Sequence, residues 1–265
     1  MKCQGLSKSK GLVALLFLCL FIACKKEEPI IVSPENPPTQ RLLLKYVFDF
    51  NNTLRYAFVY SDQNRLEKCR VYDDQGQPEG EIQFTYTNGR LASYIHSYFW
   101  YHDVDLNMHL YYDSLNRLSY FAANQGFTYF NGFYDYGSST KVQRLFRDST
   151  TLAATFDYAG GPNCVTYSGH RNGIITNTSF TYDQYKKPDF GLEQIYPFSF
   201  LHNLNETEEL AQALSKHNMT QNLTSGTTIT YTYNADRYPL SMETRRNGQL
   251  LPNRQQYKFT YQPLN

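Results

Sequence analysis

Past residue 40 much of the chain alternates between apolar and polar side chains. In Glu81-Ile-Gln-Phe-Thr-Tyr86 and Thr228-Ile-Thr-Tyr-Thr-Tyr233 the apolar or aromatic residues take every second position, and Tyr257-Lys-Phe-Thr-Tyr261 does the same near the end. A period of two places one set of side chains on one face of a strand, so these segments are strands with one buried face. Turn phrases separate them. Tyr60-Ser-Asp-Gln-Asn-Arg-Leu66 is answered by Tyr86-Thr-Asn-Gly-Arg-Leu91 and by Tyr112-Asp-Ser-Leu-Asn-Arg-Leu118, with the tyrosines 26 residues apart. An aromatic closes one strand, Asp, Asn or Gly makes the turn, and Arg-Leu opens the next strand. Asp73-Asp-Gln-Gly76, Arg171-Asn-Gly173 and Arg246-Asn-Gly248 form a second set of turns. One period is therefore a hairpin of two strands and two turns.

Weaker echoes follow at Tyr158, Tyr182 and Tyr233. The phrasing fades between Tyr112 and Tyr158, which leaves the pairing there open. One stretch departs from alternation. In residues 205–217, Leu210, Ala213 and Leu214 share a helical face, Asn205 can cap it, acids cluster at its start and Lys216 sits at its end. That pattern predicts one short inserted helix. Successive hairpins pair with their sequence neighbours. The expected fold is all-β: a large up-and-down antiparallel sheet of about 10–14 strands, which must curl, split or close because flat sheets of that size are rare. The favoured form is a curled half-barrel with the helix over its concave face, and the alternative is a closed barrel. The chain's 24 tyrosines suit either form, burying rings while hydroxyls stay wet.

The first 40 residues follow different rules. Lys2, Lys8 and Lys10 precede the uncharged run Leu12–Ile22, and Ala23 is the small residue a cleavage site needs. The run is shorter than the about 20 residues of a membrane-spanning helix. Cys24 follows directly. This arrangement resembles a bacterial lipoprotein signal, in which the cysteine thiol takes a fatty acyl chain such as palmitate and becomes the new N-terminus. Phe21 departs from the leucine usual three places before that cysteine. The alternative is an uncleaved N-terminal anchor, and either form attaches the chain to a membrane. Residues 25–40 hold four prolines, so the segment should be extended and unpaired, reaching up to ~50 Å at about 3.1 Å per residue. The expected organisation is a signal peptide over 1–23, a lipidated cysteine and tether over 24–40, and one hairpin-repeat domain over 41–265. Lys26-Glu27-Glu28 resembles the signal that sends lipoproteins of Bacteroidetes-type bacteria to the cell surface, the alternative being a tether on the periplasmic face.

Removing residues 1–23, with three lysines and no acid, moves the net charge from +1 to −2. No basic block remains to bind nucleic acid. Only Cys69 and Cys164 lie past the tether, and they could pair or stand as separate core residues.

The Tyr-Xaa-Asp/Asn phrases resemble YD (RHS-like) repeats. Leu214-Ser-Lys-His-Asn-Met-Thr220, with the Thr228–Met242 stretch, is similar to DUF4595-type lipoprotein domains of Bacteroidetes. The resemblance implies a hairpin-repeat fold in the outer membrane or on the cell surface. It implies no catalytic residues.

No catalytic or nucleotide motif is present: no His-Glu-Xaa-Xaa-His, Gly-Xaa-Ser-Xaa-Gly, Walker loop or Cys-Xaa-Xaa-Cys. Three features carry candidate chemistry. His102 and His109 flank 103–108; if that segment is a hairpin loop, they face each other beside Asp103 and Asp105, a donor set suited to zinc. Tyr98, Trp100, Tyr129 and Phe133 lie in aromatic clusters that could stack on sugar rings, although alternate members must point inward. Asp113-Ser114-Leu115 and Asp148-Ser149-Thr150 resemble a short bacterial O-glycosylation pattern. The expected function is a non-catalytic, cofactor-free lipoprotein that binds a glycan or a surface protein, or serves the envelope structurally. The alternative is an exported enzyme with a site on the concave face near 96–109.

Overall fold

A computed structural model describes residues 40–99, 105–188, 211, 213–251 and 256–264. The chain divides into two units, 1–37 and 38–265, and the described residues belong to the second. It is all-β. The strands in chain order are β1 Leu42–Asp49, β2 Leu54–Tyr60, β3 Leu66–Tyr72, β4 Pro78–Thr87, β5 Arg90–Tyr98, β6 Leu106–Tyr112, β7 Leu118–Gln125, β8 Thr128–Asp135, β9 Arg144–Phe146, β10 Leu152–Asp157, β11 Thr166–Arg171, β12 Ile174–Lys186, β13 His217–Asn222, β14 Thr227–Tyr233, β15 Pro239–Arg246, β16 Gln249–Leu250 and β17 Gln256–Pro263.

From β1 to β15 each strand pairs antiparallel with the next, β15 also pairs with both β16 and β17, and β17 pairs with β1. The two-residue β16 lies beside β15 beyond the point where β17 joins it, so sixteen staves complete a ring. This corrects the half-barrel expectation: the sheet closes. Closure gives every stave two neighbours and removes the edges that an open sheet must protect. An open concave face, where the enzyme alternative placed its site, is therefore absent from the described ring. There are also more strands than expected, because short β9 and β16 carry no alternation to read.

Most inward positions are apolar, and β12 to β17 add the buried polar side chains Thr178, Asn218, Asn222, Thr227, Thr244 and Gln256. On β4, Gly80, Ile82 and Phe84 are buried while Gln83 and Thr85 face water. One cluster of buried side chains runs from Leu44 and Val47 through Leu66, Ile82, Tyr94, Met108, Phe121 and Phe156 to Ile229. Burying a Leu, Ile or Phe side chain contributes roughly 1.5–3 kcal/mol, so this interior dominates stability. Cys69 and Cys164 are separate buried thiols within it.

The tyrosine phrases acquire a physical meaning here. The hydroxyl of Tyr60 donates to the Leu44 carbonyl at 2.7 Å, Tyr86 to Leu66 at 2.9 Å, Tyr112 to Leu91 at 2.8 Å and Tyr136 to Leu118 at 2.9 Å. Tyr182 and Tyr261 repeat the bond to Cys164 and Pro239. The basic residue at or just before the start of the strand stacks on the ring that reaches it. Arg65 lies over Tyr86, Arg90 over Tyr112 and Arg117 over Tyr136. Lys141 over Tyr158 extends the series. Each tyrosine thus ties its hairpin to the preceding one along a single rim of the barrel. The faded stretch between Tyr112 and Tyr158 is a full repeat centred on Tyr136, disguised because Gly-Ser-Ser-Thr-Lys-Val replaces the Asp/Asn-Arg-Leu phrase.

Of the predicted 205–217 helix, 205–210 and 212 lie outside the described residues, whereas Ala211, Ala213 and Leu214 are helical. The C-terminal end is corrected: His217 already belongs to β13, since its backbone pairs with Lys186. Ala211 is buried, and the Ser215 hydroxyl accepts from the Cys164 amide and donates to the Ala211 carbonyl. Lys187 donates from Nζ to the carbonyls of Ala213 and Ser215, capping the end of that turn.

Candidate functional site on the outer wall

In-register residues of neighbouring strands share a face. On β6 to β9 one such line of outward residues is entirely aromatic: Tyr111 faces Tyr120, Tyr120 faces Phe133, and Phe133 faces Phe146. Ring centroids are 5.2 Å apart for the first pair and 4.6 Å for the second, with planes tilted by 34° and 33°. Neighbouring strands lie about 4.8 Å apart, so the row crosses roughly 14 Å of wall. Tyr111, at its free end, is 50% exposed. The flanking outward lines carry no large apolar side chain. His109, Ala122 and Asn131 form one, and Asp135 ion-paired with Arg144 begins the other. The Gly137 amide and the Arg144 guanidinium hold the Asp135 carboxyl below the usual carboxylate range.

Beside the aromatic row lies a cavity of about 540 Å³ with a mixed lining that includes Tyr136 and Phe156. Ser139, Gln143, Arg144, Thr155, Asp157 and Ser168 contribute to its lining. Arg144 serves both features, since its guanidinium lies over the Phe146 ring, 5.8 Å from the centroid. Apolar ring edges next to hydroxyl, amide, carboxylate and guanidinium groups match a sugar, which carries a C–H face and a hydroxyl rim.

The sequence-predicted residues divide. Phe133 lies within the row, and Tyr129 is outward and exposed farther along β8. Tyr98 shares the inward parity of Tyr94 and His96, with its ring stacked on His96 at 4.1 Å, so it is not outer-wall surface. Trp100, His102 and Asp103 lie outside the described residues. Asp105 accepts from the Ser97 hydroxyl at 2.9 Å. His109 sits within β6 opposite Ser93, because β6 begins at Leu106 opposite His96. The assumed 103–108 loop is therefore corrected in part: residues 106–108 are strand, which places His109 inside β6, while 103 and 104 lie outside the described residues. Among the described residues no three His, Cys, Asp or Glu side chains gather as a metal site would require. Ser114 and Ser149 both sit in exposed turns.

Sequence reasoning missed Tyr111, Tyr120 and Phe146. The first two flank the Tyr112–Leu118 phrase without belonging to it, and Phe146 stands almost alone in its stretch. Only register brings them together. A second polar cluster, at the tyrosine rim, is internally satisfied. Asp183 accepts from the Asn218 amide groups and from the Tyr233 hydroxyl, and Asn218 also donates to the Lys186 carbonyl. It reads as structure.

No protein-family model and no curated protein matches the chain. Among solved structures it is similar to a porin-like protein from Bacteroides uniformis ATCC 8492, at 13% identity and a TM-score of 0.47, over 78% of this chain and 90% of that one. It is also similar to a porin-like protein from Bacteroides vulgatus ATCC 8482, at 9% identity and a TM-score of 0.38, over 84% of this chain and all of that one.

Proposed function

We propose that this chain is a lipid-anchored outer-membrane protein, acylated at Cys24, whose water-facing barrel binds a glycan on its outer wall and neither conducts nor catalyses. The observation that carries the reading is the orientation of the alternation. Most inward side chains are buried and apolar, and the polar ones among them, such as Asn222 and Thr244, are buried too, while Lys68, Arg70 and Glu81 form ion pairs on the outside of β3 and β4. A barrel that spans a bilayer needs the reverse, since one Arg or Lys facing lipid at the midplane costs about 2–4 kcal/mol. A channel needs a polar lumen, and here the inward positions are packed.

The membrane connection in this reading comes from acyl chains at Cys24 through the proline-rich tether, with surface display as its finer form. The glycan assignment rests on the aromatic row and the adjoining cavity, where Arg144, Thr155 and Asp157 offer polar groups beside aromatic ones. Affinity electrophoresis through gels containing neutral cell-surface polysaccharides tests the binding half. Retardation by at least one polysaccharide, lost in Tyr111→Ala and Phe133→Ala while folding is retained, is the expected result. Mass spectrometry of the N-terminal peptide tests the anchor, and an unmodified Cys24 with residues 1–23 still attached would refute it.

A further inference from the structure

The two rims of the barrel differ. On the tyrosine rim the turns at 61–65, 87–89 and 137–141 expose no large apolar side chain, and Leu115 is the exception among the turns. The opposite rim is formed by the connections that follow β1, β3, β5, β7, β9, β11, β13 and β15. Six large apolar side chains more than half exposed project there from four separate connections. Phe50 follows β1, Phe127 and Tyr129 stand at the β7–β8 turn, Ile174 and Ile175 open β12, and Leu223 follows β13. Phe127 is fully exposed, and Tyr129 and Ile174 are exposed by 80% and 69%.

These positions are spread around the ring, not gathered in one groove, with polar residues such as Asn51, Asn172 and Thr224 between them. Separated apolar tips on a circular rim meet a plane together; a peptide or small ligand could touch only one or two. Exposed arginines accompany them at Arg147, Arg171 and Arg246, with Arg171 paired in register with Ile174. The rim's acids are engaged nearby, Asp74 by Arg55 and Asp148 by its own turn amides. Aromatic and aliphatic tips next to guanidinium groups are the composition that settles into the headgroup boundary of a bilayer.

Chain length permits such contact from the anchored leaflet. Residue 42 opens β1 at the tyrosine rim, so the tether joins the body at the end far from these tips. The eight-residue strands rise about 26 Å and the 13-residue β12, the longest described, about 43 Å at most. The tether can extend up to ~50 Å, longer than the barrel is tall.

We infer that the rim bearing Phe50, Phe127, Ile174 and Leu223 is a second membrane contact, docking the barrel on a phospholipid surface with its aromatic outer wall left free. Only the argument from tether length rests on the acylated-cysteine reading; the vesicle test does not, so the two can fail separately. The unit 38–265 closes on itself through β1 and β17, so it can be made without the acyl site and the apolar leader. Flotation with vesicles of phosphatidylethanolamine and phosphatidylglycerol is the measurement. The unit should float with the vesicles. Phe127→Ser combined with Ile174→Ser should lower the bound fraction at least ~10-fold, since two large apolar side chains lose their burial. Leu115→Ser, on the other rim, should leave it unchanged, and matching circular dichroism should show that all three proteins fold. The inference is overturned if the unit stays at the bottom of the gradient, or if Leu115→Ser weakens flotation equally. It is also overturned if, without floating, the unit self-associates through these same residues, which would make the occupant a second copy.

Discussion

The Tyr86 hydroxyl donates to the backbone carbonyl of Leu66, twenty residues earlier, at 2.9 Å, while Arg65 lies over the same ring. The two halves of the repeated phrase thus belong to different repeats: the tyrosine of one hairpin binds the Arg-Leu of the hairpin before. This converts a sequence repeat into a mechanical one, with each hairpin fastened to its predecessor before the ring closes.

Removing one tie should be mild and removing several should be cumulative. Tyr86→Phe deletes a single hydroxyl-to-carbonyl bond, worth about 0.5–1.5 kcal/mol. Tyr136→Phe, two hairpins away, should add nearly independently, because distant sites sum to within about 0.5 kcal/mol. Urea unfolding of the single and double variants checks both values, and equal midpoints in all of them would count against the tie.

Inside and outside of one strand should respond oppositely to substitution. Ile82 is fully buried on β4 and Thr85 faces water on the same strand. Ile82→Ala should cost about 2–5 kcal/mol. Thr85→Val should stay within about 0.5 kcal/mol. Thermal unfolding of the two variants decides, and a reversed order would mean that the wall has been assigned inside out.

Alkali should unfold the barrel late and cooperatively. Burial pushes the Tyr86 hydroxyl up to about 12, and burial also raises Tyr158, Tyr182 and Tyr261. A folded-state value above the unfolded one, near 10, means that the stabilisation is complete below pH 10 and is lost as pH rises through about 12. Absorbance at 295 nm should show exposed tyrosines ionising near pH 10, with the buried group following in one step with the loss of circular dichroism.

Lys187 predicts the opposite slope near neutrality. Burial pushes its ammonium down to about 7. Between pH 7 and its unfolded value of 10.5 the unfolded chain carries the extra proton, so stability rises with pH across that window. Lys187→Met should flatten the rise in denaturation curves collected from pH 7 to 9.

The two thiols should be silent until the barrel opens. Cys69 and Cys164 are both buried, and burial lifts Cys164 to about 12 and Cys69 higher still. Thiolate is the reactive form. A thiol reagent at pH 8 should label neither in the native protein and both in urea, and no disulfide should be found.

Local chemistry carried most of the fold. Alternation marked β4, β14 and β17, and Asn-Gly pairs marked turns where both residues adopt positive φ, as at Asn88-Gly89, Asn172-Gly173 and Asn247-Gly248. These are properties of adjacent residues, so they can be read from adjacent letters. Whether the sheet closes depends on the pairing of Leu42 with Pro263, two residues at opposite ends of the chain, neither of which carries a mark of the other. The candidate site has the same character. Phe133 was visible as one aromatic among many, but its alignment with Tyr111, Tyr120 and Phe146 is set by strand register, and so is the placement of His109 opposite Ser93. Periodicity and turn chemistry thus determine which face of each strand is buried and where the chain reverses. Tertiary pairing alone decides that the ring is complete and which distant side chains share its outer wall and rims, because a one-residue shift in register would move each of them to the other face.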